Sequence, residues 1–157
     1  MGIDHLLIVV GGDLRFLAHL EHERAPTTCA AFLARLPFRK QLLQARWSGE
    51  AAWVPLGDYT FGIGAESQTG RPAPGDLLLY PGGASETEIL FPYGDTVFAS
   101  KFGPLEGNHF LTLVGGREQL AELGRRVLRE GAQEIVFSIP DTADGATTDV
   151  PGRPTSA

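Results

Sequence analysis

The sequence predicts a mainly β domain in which an antiparallel barrel or curled sheet is capped by two helices. Three observations lead to it. Short apolar segments recur along most of the chain, each bounded by glycine or proline. Only two segments carry helical spacing, and they lie far apart. The chain opens on two apolar segments joined by Gly11-Gly12-Asp13, the mark of an antiparallel hairpin. This is not the strand-helix alternation of a doubly wound α/β fold.

The elements follow in order. Leu6 to Val10 reads as a buried strand, and Leu14 to Leu20 as its partner, with Leu14, Phe16, Ala18 and Leu20 alternating onto one face. From Ala25 to Leu36 a helix is expected. Pro26 suits its first turn, Cys29, Phe32, Leu33 and Leu36 fall at i, i+3, i+4 and i+7, and Pro37 ends it. Gln41 to Trp47 and Glu50 to Val54 read as strands around Ser48-Gly49, and Tyr59 to Ile63 as a further strand. A turn-rich stretch, Glu66 to Gly75, leads to the strand Asp76 to Tyr80. Glu88 to Phe91, Val97 to Ala99 and His109 to Val114 add three more. The second helix is expected from Arg117 to Glu130, where Leu120, Leu123, Val127 and Leu128 form an apolar stripe and Gly131 supplies the stop. Glu134 to Ile139 is the last strand.

With 157 residues the chain suits one compact domain, expected over residues 1–139, and the Thr, Asp, Gly and Pro of residues 140–157 read as a flexible tail. Thirteen Lys and Arg against nineteen Asp and Glu give a net charge of −6, which argues against a nucleic-acid partner. The single Cys29 cannot form an internal disulfide, and the run Leu6 to Val10 is too short to span a bilayer, so a cytoplasmic protein without a membrane partner is expected.

Four histidines are present, His5, His19, His22 and His109, without further metal-ligand spacing, so no metal is expected. Cys29 falls in the helix's apolar stripe and reads as a packing residue. Ser48 lacks a nucleophile elbow, and Phe61-Gly-Ile-Gly64 holds two of the three glycines of a dinucleotide fingerprint with no helix after it, so no cofactor is expected.

Two constellations mix aromatic, charged and glycine residues. Arg46-Trp47-Ser48-Gly49-Glu50 with Trp53 can build an apolar slot with a polar clamp, or a tryptophan plug at a barrel end. The second runs from Tyr80 to Asp95, through Glu86, Glu88 and Tyr93, and on to Lys101, Asn108 and His109. Its polar residues can converge at one rim or simply decorate loops.

The order of the pieces APTTCAAF (Ala25 to Phe32), PGDL (Pro74 to Leu77) and GNHF (Gly107 to Phe110) resembles the cyclophilin-like fold from about Leu6 to Ile139. The segments Ala45 to Ala51, Tyr80 to Gly83, Glu88 to Leu90, Tyr93-Gly94 and Gly103 to Asn108 look more closely like a bacterial family of uncharacterised small cyclophilin-like proteins. That resemblance implies a closed or nearly closed eight-stranded barrel with a helix at each end, and no established reaction. Cyclophilins isomerise X-Pro bonds with an Arg that follows Phe-His. Here Arg46 stands between Ala45 and Trp47, and His109 and Leu111 stand where Gln and Phe are expected, so the resemblance implies that activity only if Arg46 faces the groove in place of the usual Arg.

The expected function is binding of a small polar or anionic metabolite in an aromatic groove. Trp47, Trp53, Tyr80, Phe102 and Phe110 would supply its walls, and Arg46, Glu50, Lys101, Asn108 and His109 its polar contacts. Arg46 and Lys101 would clamp a carboxylate. An enzymatic version makes His109 a general acid or base oriented by Glu50 or Glu88. The alternatives are peptide binding, with or without residual prolyl isomerisation, and a structural homo-oligomer that buries the aromatic patch.

Overall fold

The computed structural model of the chain describes residues 2–141. Residues 142–157, most of the segment read as a tail, lie outside the described residues. The elements run β1 (His5–Val10), β2 (Leu14–Leu20), α1 (Pro26–Leu33), β3 (Phe38–Gln44), β4 (Gly49–Gly57), β5 (Gln68–Thr69), β6 (Asp76–Tyr80), β7 (Thr87–Thr96), β8 (Ala99–Ser100), β9 (Gly103–Pro104), β10 (Gly107–Gly115), α2 (Leu120–Arg129) and β11 (Gln133–Ser138).

Apolar alternation on antiparallel strands leaves each with one face to bury, and closing the sheet buries that face without leaving an edge. The main sheet has the order β2-β1-β11-β3-β4-β7-β6-β10-β5, and a pairing of β2 with β10 closes it. Only Gly107 and Asn108 of β10 pair with β5, so the ring itself consists of the other eight strands, all antiparallel. The lumen is packed with side chains, among them the fully buried Phe16, Phe91, Phe110 and Phe137. Each such ring contributes about 1.5–3 kcal/mol by leaving water.

The helices close opposite ends. Phe32 of α1 packs edge-on against Phe38, Phe110 and Phe137. At the other end Leu120, Leu123 and Val127 of α2 join the core, and Gly124 lies against the Tyr93 ring. Arg126 ties α2 to the β1–β2 turn through two bonds to Asp13, at 2.6 and 2.8 Å. Among the described residues no helix is long and apolar enough to cross a membrane.

Several segments differ from the sequence expectation, among them β3, which runs Phe38–Gln44 and stops short of Trp47. Tyr59 to Ile63 is not a strand. Its rings pack beneath α1, Tyr59 and Phe61 against Phe38 and Phe61 against Phe32, so aromatic content there serves packing rather than sheet pairing. The helix expected to end at Leu36 ends at Leu33, and the one expected from Arg117 begins as a 3-10 turn. The two-residue strands β5 and β9 are too short to carry a readable pattern.

Candidate functional site

Strands β4, β7 and β6 are buried on both faces. Ala52, Val54, Ile89, Phe91, Leu77 and Leu79 point into the lumen, while Ala51, Trp53, Leu90, Leu78 and Tyr80 point outward. The outward residues are covered by the excursion that carries β8 and β9, which lays Phe98 and Leu105 on them. Phe98 reaches far enough to meet β10. A Cβ at Gly107 would stand 3.2 Å from the Phe98 ring and 3.0 Å from Leu78 Cβ, so glycine makes room for the cover.

The cover does not seal the wall completely. Between it and the β3–β4 turn lies a cleft of about 380 Å³, within the usual size for small-molecule sites. Arg46, Trp47 and Ser48 of the turn line one end, Lys101 and Phe102 at the tip of the β8–β9 hairpin overhang it, and Trp53 lines the middle. Ser85, Glu86 and Glu88 line the rest. The β4–β7 register orders the wall. Gly49 pairs with Thr96, Trp53 with Leu90 and Pro55 with Glu88, so Trp53 stands between the turn and the acidic end.

Local chemistry holds these parts in place. The β3–β4 turn needs a positive φ at Gly49, 88°. Ser48 is buried, and its Oγ donates to Ala99 O and accepts from Ala99 N, both at 3.1 Å, fastening the turn to the hairpin. The Tyr80 hydroxyl accepts from Ala84 N and Ser85 N at 2.9 and 3.3 Å, which fixes the loop leading to Glu86.

Arg46 lies 6.0 Å from the Trp47 ring and Lys101 Nζ 5.2 Å from the Phe102 ring. Neither cation has a carboxylate partner among the described residues. Trp47 and Phe102 are 54% and 70% exposed, unusual for rings of this size. Glu88 is the reverse case. It is only 5% exposed, and its carboxyl has no hydrogen-bond partner among the described residues. Burial, with Glu86 nearby, pushes its pKa up to about 8.

The structure thus brings Arg46, Trp47, Trp53, Lys101, Phe102 and Glu88 to one cleft and places the other expected site residues elsewhere. Glu50 is exposed on the other face of β4, where its Oε1 accepts from Asp95 N at 2.8 Å. Tyr80 lies under the cover, its ring edge-on to Phe98 at 5.8 Å. Phe110 fills the lumen. Asn108 is a buried bracket. Its amide donates to Thr28 Oγ1 and Gly64 O, and its Oδ1 accepts from Glu66 N. His109 faces outward in the same cross-strand row as Trp53, but Leu78 and Leu90 lie between them, about 14 Å at the normal strand spacing. Its neighbours are Thr112 Oγ1 at 2.8 Å, Arg24 at 3.4 Å and the carboxylate of Asp76 at 3.7 Å. The carboxylate beside His109 is therefore Asp76, not Glu50 or Glu88. Asn108, His109 and Phe110 follow one another on a strand and must point to alternate faces, so one groove could not have gathered all three.

The cleft also takes in Ala45, Ser85 and Ala99, which the sequence does not mark, and draws Glu86 from the second constellation to the first. One signal was available for the acidic pair: residues two apart at a strand's start share a face, which puts Glu86 and Glu88 on the same side. Cys29 is the packing residue its spacing implied. It is buried, its Sγ lies 3.6 Å from Phe110 O, and burial pushes its thiol up to about 12.

The family described as a protein of unknown function (DUF3830) matches residues 7–139. The chain belongs to this family. Seven solved chains match it. One is described as McbB in complex with tryptophan, with a TM-score of 0.63 and 17% identity, over 96% of this chain. The match spans 57% of that chain, so it shows a shared barrel and not a shared site. No curated protein matches.

Proposed function

We propose that this family member binds a small molecule with a flat apolar body and an anionic group in the cleft on the barrel wall. One observation carries the reading. Two cations without carboxylate partners among the described residues, Arg46 and Lys101, stand beside exposed aromatic rings in a concave site of ligand size. Large rings normally stay covered, so their exposure beside two cations favours an external partner. The rings give contact area and the cations give orientation, a guanidinium by two parallel bonds to a carboxylate. A solved structure of similar fold is described as McbB in complex with tryptophan, a molecule of this size class.

The chain's only two tryptophans, Trp47 and Trp53, both line the cleft, so their fluorescence reports on it. Titration with 4-ethylbenzoate is expected to give a saturable change that weakens about tenfold in the Arg46→Ala, Lys101→Ala double variant. A response without saturation, or one the double variant leaves unchanged, rejects the reading. A second reading rests on the exposure of Trp47 and Phe102: the same patch packs against another copy of the chain. Sedimentation of wild type and Phe102→Ser separates the two, since only a subunit contact changes mass.

A further inference from the structure

The anion reading uses one end of the cleft and leaves Glu88 without a role. Glu88 is a buried residue whose carboxyl has no hydrogen-bond partner among the described residues, and it lines the same cleft. Such a group costs stability unless something outside the chain completes it. Strand geometry places it away from Arg46. Arg46 belongs to the β3–β4 turn, next to the Gly49–Thr96 pair, whereas Glu88 pairs with Pro55 near the far end of β4, and Trp53 lies between. The cleft is therefore bipolar along its length, with an aromatic middle.

We propose that Glu88 is the recognition group for a protonated amine, and that the ligand class is an aryl compound bearing an ammonium group at one end and an anionic group at the other. This rests on the proposed anion site and extends it. An ammonium group supplies the donors that Glu88 lacks, in a site where little water competes, which is where a charge-assisted hydrogen bond is strongest.

The groups that face Glu88 set its behaviour. Glu86 on its own segment repels its charged form, and Glu86 is itself occupied in accepting from Gly57 N at 2.8 Å. Tyr80 stands opposite it on β6 with its hydroxyl engaged by the loop backbone. From β4 come Trp53 and Pro55, which do not titrate, and across the cleft lie the cations Arg46 and Lys101. In the free protein at neutral pH the carboxyl is mostly protonated, since burial holds its pKa near 8. Binding an ammonium ion favours the carboxylate, so the Glu88 proton passes to buffer as the complex forms. Affinity for such a ligand therefore rises with pH up to about 8.

The test compares 4-(aminomethyl)benzoate with 4-ethylbenzoate, which has the same shape and no ammonium group, by calorimetry on the full chain at neutral pH in phosphate and in Tris. A longer pair, 4-(2-aminoethyl)benzoate and 4-propylbenzoate, covers the spacing. At least one amine is expected to bind about tenfold tighter than its alkyl partner, with an observed heat that differs between the two buffers because the released proton ionises them differently. Glu88→Gln is expected to erase both the preference and the proton release while leaving the alkyl benzoates unchanged. Equal binding of amine and alkyl partners to wild type, or a preference that survives Glu88→Gln, overturns the role of Glu88 and leaves the anion site standing. Failure of all four compounds to bind overturns the anion site and this inference with it.

Discussion

Glu66 and Glu88 are both carboxyls drawn partly out of water, and the fold treats them in opposite ways. Burial alone would raise Glu66, but its oxygens accept from Thr27 N at 2.9 Å, Thr28 N at 2.8 Å and Thr28 Oγ1 at 2.7 Å, and these bonds bring its pKa below the ordinary value. It closes the N-terminus of α1, whose own flanking residue Ala25 has no side-chain cap. Glu88 is more deeply buried and receives no hydrogen bond from the described residues. The difference separates a structural carboxylate, completed by its own chain, from one whose complement lies outside it.

The largest effect is expected where the Glu66 bracket is broken from within. Asn108→Ala leaves Thr28, Gly64 and the Glu66 backbone without their shared partner and is expected to cost about 3 kcal/mol of stability in urea unfolding. Glu66→Ala removes the helix closure but opens to solvent, so the loss should be smaller, about 2 kcal/mol. If Asn108→Ala costs less than Glu66→Ala, the bracket is held by the loop and not by the asparagine.

At Glu88 the sign reverses. Its folded pKa, about 8, lies above the ordinary 4.5, so the native state binds the extra proton between those values. This contribution is fully present below about pH 4.5 and is lost as pH rises through about 8. Glu66 runs the other way: its stabilisation is present above the ordinary carboxylate range and is lost as pH falls through its lowered pKa. Glu88→Gln, which keeps the shape and removes the charge, is expected to stabilise the protein above pH 8 by about 2 kcal/mol and to flatten the fall in stability between about pH 4.5 and 8. A Glu88→Gln protein no more stable than wild type there would mean that the carboxyl has found a partner.

Much of the barrel could be read from local pattern. The alternation of Leu14, Phe16, Ala18 and Leu20 survives intact in β2, and all four lie in the core. The stripe of Leu120, Leu123 and Val127 packs as α2. Arg46, Trp47, Trp53, Lys101 and Phe102 were expected in one place because aromatic and cationic residues cluster at those two points of the sequence, and the cover laid by Phe98 and Leu105 joins them. Glu88 was harder to read. Its burial comes from the β4–β7 and β6–β7 registers and from the overlying hairpin, which are contacts between distant segments. The mistaken grouping of Asn108, His109 and Phe110 is different in kind, since strand alternation alone separates them.

The smallest expected effect concerns His109. Its ring contacts Thr112, and Thr112 in turn donates to Glu21 Oε2 at 2.6 Å, a local polar chain remote from the cleft. His109→Gln is therefore expected to leave binding of 4-ethylbenzoate within about twofold and to cost about 1 kcal/mol of stability. A large loss of binding would join the two sites that the Phe98 cover now separates.

The most direct measurement is a carbon-detected NMR titration of the glutamate side-chain carboxyls, with Glu88→Gln supplying the assignment. The structure predicts a Glu88 midpoint near 8 in the free protein, moving down when 4-(aminomethyl)benzoate is bound. A midpoint in the ordinary carboxylate range without ligand would contradict it, because Glu88 would then be solvated or paired and the cleft would have no uncompleted acid to offer.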